Sequence, residues 1–170
     1  MLKARINFSR VKLDQRRYFR EVDRVIRKVL REAMRAFLTT VLNHIKGAKH
    51  TTGGDSFPVQ TGEAKASLMP LGRVIQMSVP VTPAANRKNR VAVGKAKGRG
   101  AFTPLKRRFN YKYTFSTRVV HFEINEENYS PIPTSATPWG AIAAGREAFK
   151  EYVDTHLKEQ MPRIKDYLVR

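Results

Sequence analysis

The 170-residue chain contains no cysteine. That excludes disulfides, zinc–thiolate sites and a cysteine nucleophile, and it fits folding in a reducing cytoplasm or indifference to redox. No uninterrupted apolar run approaches the ~18 residues of a membrane span, so no transmembrane helix and no membrane partner are expected. The opening "MLKARINFSR" has no apolar core, so no signal peptide is expected either. Histidine is scarce: His44, His50, His121 and His156 are spread along the chain, none at metal-ligand spacing from another. Acidic residues are scarce above all, with 14 against 33 Lys and Arg, for a net charge of +19.

The shortage of acid is local. Residues 1–46 carry a net +9, residues 47–63 a net −1 and residues 123–170 a net −2. From Ala64 to Phe122 there are 13 basic residues and no acidic one. Such a stretch cannot neutralise itself, so it faces an acidic partner, a polyanion or water. With 41% apolar residues, the chain is expected to fold as one domain over residues 1–170 around a real core. Loops near 46–57 and 95–108 read as mobile.

Apolar residues recur every three or four positions from Tyr18 to Ile45, which predicts one long helix with an apolar stripe. Asp14 or Ser9 is its candidate N-cap and Gly47 its candidate end. At this length one end is expected to project or to pack on another subunit. The opposite face carries Arg16, Arg20, Arg24, Arg27 and Arg31, beyond what Asp23 and Glu32 can pair, so it reads as a solvated or docking face. A short helix is expected from Gly62 to Leu68, with Thr61 as N-cap and Glu63 in its first turn. "LGRVIQMSVPV", "NRVAVGK", "FNYKYTFST" and "RVVHFEIN" read as strands. "KAKGRGAFTPLKRR" reads as a basic loop. Thr137 and Pro138 suit the start of a last helix whose stripe keeps phase through Pro162, predicting a kinked helix or two abutting pieces. The layout is α+β: a long N-terminal helix, a short second helix, an antiparallel sheet of about four strands and a C-terminal helix packed on the sheet.

No catalytic constellation emerges, so no enzyme, metal or cofactor is expected. Glu123, Glu126 and Glu127 form a charged strand-end cluster, and two carboxylates alone do not define acid–base chemistry. "VGKAKGRG" lacks the spacing of a phosphate-binding loop. Lys88, Arg90, Lys95, Lys97, Arg99, Lys106, Arg107 and Arg108 form a basic region facing a partner or DNA, with Phe102 and Phe109 among them for base stacking.

"FPVQTGEAKASL" at 57–68 resembles the Pro-x-Asp-Thr-Gly-x-Leu-x-x-Ser signature of tail-completion and head–tail joining (neck) proteins of long-tailed bacteriophages. Pro58, Thr61, Gly62 and Ser67 match; Gln60 and Ala64 stand where Asp and Leu are usual. "TPWGAIAAGREAF", with Pro138 and Trp139, resembles the family's proline–aromatic lead into its final helix. The resemblance implies a structural virion protein, assembled in the host cytoplasm, that forms a homo-oligomeric ring, often of six. The ring would sit between tail-tube and head-connector proteins, with DNA passing through the lumen and no turnover. The alternative is a sequence-independent nucleic-acid-binding protein, ribosomal or architectural.

Overall fold

The computed structural model describes residues 12–47, 62–81, 88–104, 109–119 and 140–169, without the side chains of 45–47 and 88–90. In chain order the elements are β1 (Lys12–Leu13), α1 (Gln15–Gly47), α2 (Glu63–Ala66), α3 (Met69–Val74), α4 (Lys88–Lys97), β2 (Gly98–Pro104), β3 (Tyr111–Thr117), α5 (Ala141–Gln160), a 3-10 turn (Ile164–Tyr167) and β4 (Leu168–Val169). The fold is α+β, as the sequence pattern implies. Among the described residues the strands form two two-stranded antiparallel sheets, β1–β4 and β2–β3, in place of one sheet of about four.

The predicted long helix is α1, 33 residues and about 50 Å long. Asp14 caps it: its Oδ1 accepts the Arg17 N–H at 3.0 Å. Its stripe buries Val22, Val29, Ala33, Phe37, Leu38 and Val41. Leu38 and Val41 join Leu68, Leu71, Ile75, Val79, Val119 and Ala141 in one core. Each fully buried aliphatic side chain there contributes about 1.5–3 kcal/mol.

Among the described residues, both ends of α1 pack on α5 or the segment that follows it. Phe37 and Val41 lie against Gly145 of α5, and Tyr18 packs edge-on against Tyr167 with ring centroids 5.4 Å apart. The Asp14 N–H donates to Tyr167 O at 2.9 Å, and Leu13 pairs with Leu168. So α5 and the segment after it run antiparallel to α1 over most of its length. The kink expected at Pro162 is a full stop. Met161 is extended, at ψ 134°, because a proline ring crowds the helical conformation of the residue before it. The chain restarts as the 3-10 turn.

Two predicted strands are absent: the first is a helix end followed by a turn and irregular chain, the second is helical. "LGRVIQMSVPV" starts inside α3, which begins at Met69 with Pro70 in its first turn, where a missing N–H costs no hydrogen bond. "NRVAVGK" lies in α4. The expected loop "KAKGRGAFTPLKRR" contains β2, paired with β3 from Gly98↔Thr117 to Pro104↔Tyr111. "RVVHFEIN" begins with Arg118 and Val119, which extend past β3 without strand structure; its remainder lies outside the described residues.

These three segments meet at one contact. Gly94, Gly98 and Gly100 lie directly on the backbone of Glu63, Ser67 and Pro70–Leu71. A Cβ on Gly100 would stand 2.5 Å from Leu71 Cα. Helical spacing keeps Gly94 and Gly98 on one side, so α4 and the start of β2 pass α2 and α3 at backbone contact. Glycines that look like loop punctuation mark close approach. We call this contact the glycine seam.

Candidate functional site

Residues 62–68, the second half of "FPVQTGEAKASL", build one side of that seam. Gly62 sits at φ 67°, the left-handed conformation that glycine adopts without strain, and turns the chain into α2. It is the N-cap, in place of the predicted Thr61, and makes no side-chain cap bond. Ser67 is fully buried, its hydroxyl donating to Ala64 O at 2.7 Å. Glu63 is buried too, and accepts from Lys97 Nζ at 2.7 Å across the seam. The described part of the motif, residues 62–68, is therefore packed into the fold. Pro58, Thr61, Pro138 and Trp139 lie outside the described residues, as do His50, His121, Glu123, Glu126 and Glu127.

The arginine face of α1 divides in two. Arg16, Arg20 and Arg24 are exposed. Arg24 is paired with Glu21 of its own helix, whose hydrogen bond holds the guanidinium above its ordinary pKa. The Arg20 Nε–H donates to Arg16 O at 3.3 Å. Further along, the arginines hold the fold. Arg27 bonds Asp23 at 2.7 Å and lies 5.2 Å over the Tyr111 ring, while the Tyr111 hydroxyl donates to Asp23 Oδ1. Its hydrogen bond to Tyr111 raises the Arg27 pKa first, with Asp23 adding to it against desolvation. Arg31 donates to Gln76 Oε1 at 3.3 Å.

Arg35 donates to Ile75 O and Gln76 O, both at 3.0 Å, and to Glu32 at 2.9 Å. It grips the turn that ends α3. There Met77 N–H bonds Gly72 O, Gln76 N–H bonds Arg73 O, and Gln76 takes φ 57°. That is a Schellman turn with glutamine where glycine is usual. The pairings Asp23–Arg27 and Glu32–Arg35 were legible from helix spacing; the reach of Arg31 and Arg35 to α3 was not.

The second basic surface is the outer face of the β2–β3 hairpin. Alternation turns Phe102, Tyr111, Tyr113 and Phe115 inward and leaves Arg99, Ala101, Thr103, Lys112, Thr114 and Ser116 exposed. Arg118 continues that face, and Lys95 is exposed on α4. Arg99, Lys112, Arg118 and Lys95 take part in no ion pair among the described residues. Of the predicted basic set, then, Lys95 and Arg99 are exposed and Lys97 is committed to Glu63. The side chains of Lys88 and Arg90 and the whole of Lys106, Arg107 and Arg108 lie outside the described residues. Lys112 and Arg118 were missed, although alternation with Tyr111, Tyr113 and Phe115 marked Lys112 as outward-facing. Phe102 and Phe109 are not on this face. Phe102 stacks on Tyr111 at 5.7 Å, and Phe109 packs toward Phe19 at 6.0 Å.

Between α1, β3 and α5 lies an apolar groove of about 550 Å³, lined by Leu30, Met34, Phe37, Tyr113, Phe115 and Phe149 among others. Burial pushes the Tyr113 hydroxyl above its ordinary pKa, with the Arg31 charge pulling weakly the other way. Tyr111 is raised by burial and then by its bond to Asp23, against Arg27. No polar group with the geometry of a nucleophile or general base enters this groove among the described residues. His44 and His156 bond the carbonyls of Thr40 and Tyr152, each one turn back on its own helix. Among the described residues no three His, Asp or Glu side chains gather as metal ligands, and no helix is long and apolar enough to cross a membrane.

Comparison with known proteins finds no family model, no curated protein and no solved structure that matches the chain.

Proposed function

We propose that this chain is a structural protein of the phage head–tail junction. It completes the tail and joins it to the head connector by assembling into a ring around the DNA channel, without turnover. The observation that carries the reading is the exposure of large apolar side chains in the segment after α5. Ile164, Leu168 and Val169 are 55%, 47% and 47% exposed, the last two forming β4 of the short β1–β4 sheet. Exposed apolar clusters rimmed by charge mark protein–protein contacts, and Arg16, Arg17 and Arg163 are exposed nearby in the same segments. The resemblance of "FPVQTGEAKASL" and "TPWGAIAAGREAF" to neck proteins supplies the biological setting.

Native mass spectrometry of the full chain, alone and with a tail-tube protein, tests this. A closed ring is expected, and Leu168→Asp with Val169→Asp is expected to release folded monomers with unchanged helical circular dichroism. Monomers only, in both preparations of the unaltered chain, would overturn the reading.

A second reading, sequence-independent nucleic-acid binding, is favoured by one observation: the acid-free, unpaired basic face of the β2–β3 hairpin.

A further inference from the structure

We propose that the outer face of the β2–β3 hairpin binds the phosphate backbone of double-stranded DNA. The proposal rests on the second reading above and names the surface and the form of nucleic acid. The register defines the face. Arg99 stands opposite Ser116, Ala101 opposite Thr114, and Thr103 opposite Lys112, all exposed; Arg118 lies one step beyond Ser116 on the same side. Positive charge therefore marks both ends of a ribbon about 13 Å long, with small hydroxyl side chains between them. That length spans about four base pairs of duplex, whose strands each carry one phosphate per about 3.4 Å of axis. Arginine, lysine, serine and threonine are the side chains that bond phosphate oxygens.

Three observations choose duplex DNA over the other acidic partners. The face carries no aromatic or large aliphatic side chain; Ala101 is its one apolar residue in register. Protein–protein contacts need an apolar or aromatic centre, and this face has none. Single-stranded nucleic acid is held by stacking on aromatics, and here the strand aromatics lie on the opposite face of the hairpin. Finally, no carboxylate occurs anywhere from Ala64 to Phe122, and among the described residues the cations of the face make no ion pair.

The test is fluorescence anisotropy of the full chain across a salt series. The probes are a random-sequence duplex, its single strand and a polyglutamate of equal charge. Duplex binding is expected to be tightest, and log Kd is expected to rise linearly with log salt. Arg99→Gln/Lys112→Gln/Arg118→Gln removes three phosphate contacts. It is expected to lower that slope by about 2.7 and to weaken binding about tenfold or more. Arg99→Lys/Arg118→Lys keeps the charge and is expected to keep the slope.

These side chains are exposed and make no ion pair, so thermal melting of the triple variant should match the parent. Arg16→Gln/Arg20→Gln/Arg24→Gln on α1 is the matched comparison, expected to change the slope less. Absence of duplex binding by the unaltered chain would sink both the second reading and this proposal. Duplex binding with an unchanged slope in the hairpin variant, or a larger loss in the α1 variant, would sink the proposal alone. Tighter binding to the single strand or to polyglutamate would replace duplex DNA with that partner and overturn it.

Discussion

The core of this protein is closed by two contacts of opposite kind. Along α1 and α5, large side chains fill space: Phe37, Leu38 and Val41 on one side, Ala141, Ile142 and Phe149 on the other. At the glycine seam, side chains are missing, and Gly94, Gly98 and Gly100 let backbone rest on backbone. Even the glycine of the first contact behaves differently. A Cβ on Gly145 would meet the side chains of Phe37 and Val41 at 2.8 Å, groups that can rotate away, whereas one on Gly98 would meet the backbone of Ser67. A contact made of side chains gives by degrees. A contact made of backbone has no rotamer to yield.

That contrast can be broken or sharpened by substitution. Gly98→Ala is expected to cost the most, about 4 kcal/mol or more, because the two segments must separate and take the Glu63–Lys97 pair with them. Denaturant unfolding measures it; a loss under about 1 kcal/mol would mean that the seam opens freely and that the contrast is wrong. Leu38→Ala, at the centre of the side-chain contact, is expected to cost about 3 kcal/mol by leaving a cavity that its neighbours partly fill. Glu63→Gln is expected to cost about 1–2 kcal/mol. It leaves a buried amide in place of a carboxylate that is 5% exposed, while Lys97, 39% exposed, can still reach water. In Gly145→Ala the gain of about 1 kcal/mol in helix propensity opposes the displacement of Phe37 and Val41, so the net change should stay within about 1 kcal/mol.

The smallest effect at neutral pH belongs to the tyrosines beside the groove. Folding raises the pKa of Tyr111 and Tyr113 above the ordinary value of 10.0, chiefly by burial. Their proton therefore favours the folded state. That contribution is full below the unfolded pKa and is lost as pH rises through the folded one, so stability should fall on the alkaline side. Tyr113→Phe should flatten the loss, as measured by denaturant midpoints from about pH 8 to about pH 11.

Much of α1 was legible because its evidence is periodic and long. Seven turns of apolar residues at helical spacing outweigh any local accident, and Asp14 caps where its side chain can reach. "FNYKYTFST" was legible for the same reason at period two, and β3 occupies Tyr111–Thr117 within it. The errors gathered at α3, α4 and β2, which are short. There valines and isoleucines argued for strands and glycines for loops, and both arguments are local. The seam is not local: Gly98 is explained only by Ser67, thirty-one positions earlier, and Ser67 only by Gly98. The basic surface suffered in the same way. Composition marked the region and alternation marked Lys112, but only the fold separated Arg99, which faces water, from Lys97, which pairs with Glu63.

Charge imbalance, the α+β class, the long helix with its cap and the inward aromatics of β3 were determined by the sequence alone, because periodicity and composition are sums over many residues. The tertiary structure decided the rest. It turned "TGEAKASL" into one half of a backbone contact and divided the α1 arginines into structural and exposed groups. It also brought residues 167–169 back against residues 12–14 at the start of α1. Each of those outcomes depends on one residue meeting another far away in the chain, and a single sequence carries no record of which distant pairs will touch.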